Sequence, residues 1–184
     1  MNNFETNLFN KDGFVFSKIS TNCYKLSFYL ENNFIILSKI IDFNLIKLIY
    51  DLNSDIYESV NIEHINENEV ITTILIKHFF EDLGLPQKYS FVHFQRTVEE
   101  NAVIFKSKSI LTHKPKEIPN NAELMSIQDL NCVCNIITPH KIDFSIQICF
   151  NQQVYIQPFV EKIVGIILHK IFKRVKQFIE NTTL

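Results

Sequence analysis

The sequence predicts an α+β domain, a run of antiparallel strands closed by one long amphipathic helix at the C-terminus, and three observations carry that reading. Between Lys141 and Phe150, Ile142, Phe144, Ile146, Ile148 and Phe150 alternate with Lys141, Asp143, Ser145, Gln147 and Cys149. That period of two marks a strand with one face toward a core. From about Pro158 to Asn181, Val160, Ile163, Val164, Ile167, Ile171, Val175 and Phe178 recur at three- and four-residue spacing, the stripe of an amphipathic helix. Most of the remaining strand-like runs are separated by short polar turns, which favours antiparallel neighbours.

The elements follow in order. Lys11-Asp12-Gly13 is a turn signal ahead of Phe14-Val15-Phe16. Tyr24, Leu26, Phe28 and Leu30 alternate with Cys23, Lys25, Ser27 and Tyr29, giving a half-buried strand. Glu31-Asn32-Asn33 is a tight turn, and Phe34 to Ile41 reads as a further strand. Asp42 stands at a helix N-cap, and Leu45, Ile46, Leu48, Ile49 and Leu52 keep helical spacing through Phe43 to Asn53. Tyr57 to Ile65 and Val70 to Phe79 form a hairpin around Asn66-Glu67-Asn68. Tyr89 to Val98 and Ala102 to Leu111 form another around Glu99-Glu100-Asn101, with Glu81 to Pro86 as a loop or short helical turn between the two. Thr112 to Asn121 is a longer connection, of a length often functional. Met125 to Ile137 and Lys141 to Phe150 complete the strands. Pro158 suits the first turn of the last helix, which is roughly 30 Å long at 1.5 Å per residue.

Composition narrows the function classes. The chain has 184 residues, 46% hydrophobic and 21% charged, in keeping with one folded domain and not with wholesale disorder. A formal net charge of −2 lacks the dense cationic face that displaces counterions from phosphates, so no nucleic-acid partner is expected. The N-terminus has no basic region followed by an apolar stretch, and apolar runs are too short to span a bilayer of about 30 Å. A cytoplasmic protein is expected, with Cys23, Cys132, Cys134 and Cys149 as reduced core residues. Cys132 and Cys134 share a strand face, but no zinc-type spacing accompanies them, so no metal and no cofactor are expected.

Several stretches resemble the START family (steroidogenic acute regulatory protein-related lipid transfer domains). Phe43-Asn44-Leu45-Ile46-Lys47-Leu48-Ile49-Tyr50-Asp51-Leu52 resembles the family's early helix ending in Asp-Leu. Tyr57 to Asn68 is similar to the strand and acidic turn that follow it. Lys141 to Phe150, a linker and Pro158 onward resemble the final strand and helix. The resemblance spans nearly the whole chain in element order and is scattered at the level of residues. It implies a helix-grip fold: a curved antiparallel sheet wrapped around the C-terminal helix and enclosing a cavity for a lipid or sterol, which the protein binds and moves between membranes without bond chemistry. Two departures stand out. The chain has no Trp, where the family often carries Trp-Asp. The family's Arg-Asp falls at Gln87-Lys88-Tyr89, where neither residue occurs, which leaves the ligand class open.

On this reading the ligand cavity is lined by Phe91, Phe105, Ile142, Phe144, Ile146 and Ile148 from the strands and by Ile163, Ile167 and Ile171 from the helix. His93 and Gln95 share one strand face with Phe91, while Arg96 lies on the other. If the first face looks inward, His93 and Gln95 are head-group contacts, since buried polar groups need partners; if outward, they are ordinary surface residues. Lys114 and Lys116 on the long loop, which takes the place of the family's lid loop, and Lys170, Lys173 and Arg174 on the helix are candidates for transient docking on an anionic membrane surface. The cationic helix face is equally explained as a solvated complement to the helix dipole. No catalytic residue is assigned. The chain contains no Gly-rich phosphate loop, no H-E-x-x-H and no G-x-S-x-G; its six histidines are dispersed, and His93 or His140 would serve as a general base only if the fold brings it beside a substrate. A protein-interaction module on the same fold is the alternative to a carrier, with exposed Tyr29 and Tyr155 in its favour, and a cyclase or hydrolase on this architecture is a further one. An enclosed apolar cavity of several hundred cubic ångströms favours the carrier, and a solid core with an exposed apolar patch favours the module.

Overall fold

The computed structural model describes residues 5–79, 81–153 and 156–183, with Leu83 described only in its backbone; Tyr155 lies outside them. The strands are β1 (Thr6–Lys11), β2 (Phe14–Ser20), β3 (Cys23–Glu31), β4 (Tyr57–Asn66), β5 (Glu69–Ile76), β6 (Lys88–Val98), β7 (Ala102–Ser109), β8 (Glu123–Leu124), β9 (Ile127–Thr138) and β10 (Lys141–Phe150). The helices are α1 (Phe43–Asp51) and α2 (Pro158–Asn181). All strands join one sheet in the order β1-β2-β3-β10-β9-β7-β6-β5-β4. Neighbours along that path are antiparallel, and the short β8 pairs parallel with β6.

Local chemistry sets the hairpins. Asp12 and Gly13 both have positive φ, at 55° and 80°, and Lys11 pairs directly with Phe14. Such a two-residue turn twists as its flanking strands do, and glycine takes this backbone region without a Cβ clash. Asn66 pairs with Glu69 across another two-residue turn. The early helix is capped as its sequence requires: the Asp42 carboxylate accepts from the Asn44 N–H at 2.8 Å, satisfying one of the otherwise orphaned first-turn donors.

Register fixes which residues share a face, because directly paired side chains project to the same side. One row of partners runs Tyr24, Ile148, Leu130, Ser107, Phe94, Val70 and His64 across β3, β10, β9, β7, β6, β5 and β4. The next runs Leu26, Ile146, Cys132, Phe105 and Arg96. This is the inner face, on which both helices pack. The main core joins Phe14, Phe16, Leu26, Phe28, Val92, Phe94, Phe105, Ile142 and Phe144 with Leu45 of α1 and Val175 and Ile179 of α2. Fully burying each such side chain stabilises by about 1.5–3 kcal/mol.

The structure departs from the sequence expectation in two places. Phe34 to Ile41 is not a strand; it is a loop with a 3₁₀ turn over Leu37–Lys39. Both edges of β3 are already taken, by β2 and β10, and the loop is held instead by the Leu37 N–H on the Pro139 carbonyl at 2.8 Å. Nor are all four cysteines free thiols: Cys23 and Cys149 pair directly across β3 and β10 and are joined as a disulfide.

Candidate ligand site

Helix α2 lies on the inner face through Gly165, Leu168, Phe172, Val175 and Ile179. The contact is close because residue 165 has no side chain. The first turn is anchored by Glu161, whose Oε1 accepts from the Tyr24 hydroxyl at 2.7 Å and from Lys18 Nζ at 2.6 Å. Burial, and then this carboxylate, raise the Tyr24 phenol well above its ordinary value, so it remains a neutral donor. At the other end the Asn32 amide donates to the carbonyls of Ile179, at 2.6 Å, and Thr182, at 2.8 Å. Its oxygen accepts from the N–H groups of Phe34 and Ile35, so one buried side chain closes the end of α2 and shapes the following loop. Asn53, fully buried, donates to the Ile49 carbonyl at 2.7 Å and accepts from Arg174 Nη1 at 3.1 Å, tying α1 to α2.

Between these anchors the packing is uneven. Under the C-terminal half of α2 a void of about 10 Å³ is lined by Phe28, Leu30, Leu45, Ile49, Phe144, Phe172, Val175 and Ile179. That space is about one water probe and holds no lipid. Toward the N-terminal half of α2 the inward side chains of Leu130, Cys132, Ile146, Ile148 and Phe150, with Leu168 and Phe172 of the helix, are only half-buried. They pack against the edge of the main core without being sealed by it. An open depression of about 430 Å³ lies on the other side of the sheet, lined by Val15, Lys25, Ser27, Tyr29, Asn135, Asp143 and Ser145 among others, and its polar lining does not suit an apolar ligand.

The inner face also carries polar groups that the sequence reading passed over. The Thr72 hydroxyl, the Arg96 Nε and the Ser107 hydroxyl are buried with no hydrogen-bond partner among the described residues. Cys132 and Cys134 face the same way with sulfurs 3.8 Å apart. The Cys134 thiol is fully buried, and the contact with Cys132 and the loss of solvent both raise its pKa far above the ordinary value, so it is inert as a nucleophile.

Solved structures of low sequence identity share this arrangement over almost its whole length. The human StarD13 (DLC2) lipid transfer and protein localization domain superposes with a TM-score of 0.70, at 11% identity, over 97% of this chain and 90% of that one. The chain has the helix-grip fold. Human StAR-related lipid transfer protein 5 matches with a TM-score of 0.66 and 12% identity, over 97% of this chain and 89% of that one. A STAR-related lipid transfer protein fragment from Xanthomonas axonopodis matches with 0.63 and 8% identity, over 95% and 98%. No family model matches the sequence, and no curated protein matches it in sequence.

Within the helix-grip frame, Phe105, Ile142, Phe144, Ile146 and Ile148 lie on the inner face. Phe91, His93 and Gln95 do not. They pair with Thr73, Ile71 and Glu69 on the outer face, since Arg96 takes the inward position opposite Phe105. Phe91 packs instead with Leu75, Tyr89, Ile118 and Ala122, and His93 and Gln95 contact the Glu69 carboxylate at 3.3 and 3.2 Å. On the helix, Ile171 is buried and its carbonyl faces Asn53, while Ile163 and Ile167 are half-buried and do not join the main core. The Thr112 to Asn121 loop covers Tyr89 and Phe91 on the outer face, with the His113 ring against Phe91, so it is no lid over the inner one.

The cations expected to dock on a membrane do not form a set. Lys170 and Arg174 both bind Asp55, Lys173 binds Asp12 at 2.6 Å, and Lys114 donates to the carbonyls of Asn120 and Ala122 within its loop. Lys116 is exposed. His140 holds a loop, its Nδ1 lying 3.0 and 2.9 Å from the Asn32 and Ile35 carbonyls.

Proposed function

We propose that the chain binds a hydrophobic small molecule, a lipid or sterol-sized ligand, between the inner sheet face and the N-terminal half of α2. The proposal includes its transfer between membranes without bond chemistry. The observation that carries this reading is the run of inward-facing but half-buried apolar side chains, Leu130, Cys132, Ile146, Ile148 and Phe150. Apolar groups under a helix are ordinarily sealed, and leaving them wet costs about 25 cal/mol for each Å² that stays exposed. A ligand that covers them recovers that free energy. The lipid transfer named for the similar solved structures points the same way. Because the void under the C-terminal half of α2 is only about 10 Å³, uptake requires the N-terminal half of the helix to move outward, releasing Glu161 from Tyr24 and Lys18 and lifting Gly165 off Phe16, while the Asn32 and Asn53 contacts hold the other end.

The test is native mass spectrometry of the purified protein before and after incubation with mixed liposomes, followed by extraction and lipid analysis. A stoichiometric adduct that leaves with organic solvent supports the carrier. An apo mass under both conditions removes it and favours the interaction module, to which the near-solid packing around Phe144 and Val175 and the half-exposed Tyr29 and Phe34 are suited.

A further inference from the structure

We propose that the depression on the outer face of β2, β3, β10 and β9 is a second binding site, and that its ligand is an uncharged saccharide. The site faces away from α2, so this inference stands apart from the hydrophobic-ligand reading. The depression measures about 430 Å³, within the roughly 300–1,000 Å³ of small-molecule sites. Cross-strand register sets its groups side by side. Ser27 of β3 and Ser145 of β10 are direct partners, and as short side chains on the same side of the sheet they make the floor. Tyr29, Asp143 and Asn135 form the adjoining row across β3, β10 and β9, two residues along. Lys25 stands two residues along in the other direction, paired with Gln147. The longer side chains of these two rows rise on either side of the serines.

The polar groups of the hollow are not spent on one another. The side chains of Lys25, Ser27, Asn135, Asp143 and Ser145 form no hydrogen bond or ion pair among the described residues, although all but Asn135 are half-buried. One row further on, Lys141 and Glu31 do pair, at 3.0 Å. Lys141 Nζ also lies 5.5 Å from the centroid of the Tyr29 ring and so steadies that wall. Lys25 and Asp143 supply one cation and one anion, which leaves the hollow no net charge to hold a strongly ionic ligand. They stand four residues apart along the strands, roughly 13 Å at 3.3 Å per residue, with the serine row between them. That spacing is too wide for the adjacent ammonium and carboxylate of one α-amino acid. A saccharide answers the whole set. Each of its hydroxyls both donates and accepts, which suits two serine hydroxyls, an amide, a carboxylate and an ammonium around one hollow. The C–H face of a sugar ring is apolar and packs on an aromatic side chain, which Tyr29, 53% exposed, offers.

The test is titration of the intact chain with maltose, cellobiose and lactose, followed by two-dimensional amide NMR, with glycine as the zwitterionic comparison. Saturable binding of at least one sugar in the millimolar range is expected, with shifts centred on Ser27, Asn135 and Ser145. Asp143→Ala should weaken it about tenfold, the loss of a hydrogen bond to a charged group, and Tyr29→Ala by a similar factor. Ser145→Leu, which fills the floor, should abolish it. The same spectra report whether each variant is folded, and lipid uptake by Asp143→Ala should match the wild type. No saturable shift with any of the three sugars overturns the site. Binding undiminished in both Asp143→Ala and Tyr29→Ala overturns it as well, as do shifts centred on the inner-face residues Leu130 and Ile146. Tighter binding of glycine than of every sugar assigns the hollow to a zwitterion and overturns the saccharide.

Discussion

A Cβ placed on Gly165 of α2 would lie 3.0 Å from Cδ1 of Phe16 in β2 and 3.2 Å from Cε1 of Phe9 in β1. The helix rests on the rings of the first hairpin with no room for a side chain, and this contact sets both its height over the sheet and its rotation. A glycine in a helix interior costs about 1 kcal/mol relative to alanine, so its presence here is explained by the contact and not by the helix.

Gly165→Ala is therefore expected to change stability by less than about 1 kcal/mol, because the gain in helix propensity offsets a shift of a few tenths of an ångström. Gly165→Leu has no such compensation and should destabilise by about 1–3 kcal/mol through overpacking. Urea denaturation midpoints for the two variants measure the difference. A leucine variant as stable as the wild type would show that α2 does not lie on Phe16.

This contact also explains what was and was not legible in the sequence. Helix bounds, the Asp42 cap and the hairpins rest on interactions within a few residues, so periodicity and turn chemistry revealed them. The rotation of α2 does not. Ile163, Val164, Ile166, Ile167 and Leu168 make the first half of the helix apolar almost all round, and the stripe through Ile163 and Ile167 looks as good as the one through Gly165, Leu168 and Phe172 that packs. The inward face of β6 was hidden for a similar reason. Tyr89 and Phe91 are buried under Ile118 and Ala122 while Val92 and Phe94 are buried under the helices, so both faces read as core and alternation alone does not decide between His93 and Arg96. Asn32 and Asn53 were lost among the many asparagines of the chain, because an amide that closes a helix end 147 residues away leaves no local signature.

Glu161 is acidic yet faces inward, where it accepts from Tyr24 and Lys18. Glu161→Ala leaves the buried phenol without its acceptor and is expected to cost about 1–3 kcal/mol. In the background of Tyr24→Phe the same substitution should cost less, by about 0.5–3 kcal/mol, the coupling between the pair. A double-mutant cycle by chemical denaturation measures it, and strict additivity would mean that the hydroxyl and carboxylate do not meet in solution.

Asp55 joins Lys170 and Arg174 of α2 to the end of α1. Hydrogen bonds from Arg174 and then Lys170 hold its carboxyl well below the ordinary value of 3.8. The sign follows: a carboxylate depressed on folding stabilises the native state above its unfolded pKa, and that contribution is lost as pH falls below about 4. The group is half-exposed and solvent screens it, so Asp55→Asn should cost no more than about 1 kcal/mol at neutral pH. The gap between variant and wild type should close as unfolding is repeated at successively lower pH below 3.8. A gap that persists unchanged at pH 2 would assign the effect to packing and not to charge.

The Cys23–Cys149 link joins strands that are adjacent in the sheet and 126 residues apart in sequence. Its closure of so long a loop restricts the unfolded chain far more than the folded one, where nine cross-strand pairs already hold β3 to β10. Cross-links of this kind stabilise by about 2–4 kcal/mol. The double variant Cys23→Ser with Cys149→Ser should therefore unfold at lower denaturant with β3 and β10 still paired in the native state. Thiol counting on the denatured wild type, purified without reductant, supplies the independent check. Cys132 and Cys134 are free, so two reactive thiols are expected before reduction and four after it. Four from the start would mean that Cys23 and Cys149 sit face to face as thiols, and reductant would then leave the stability of the wild type unchanged.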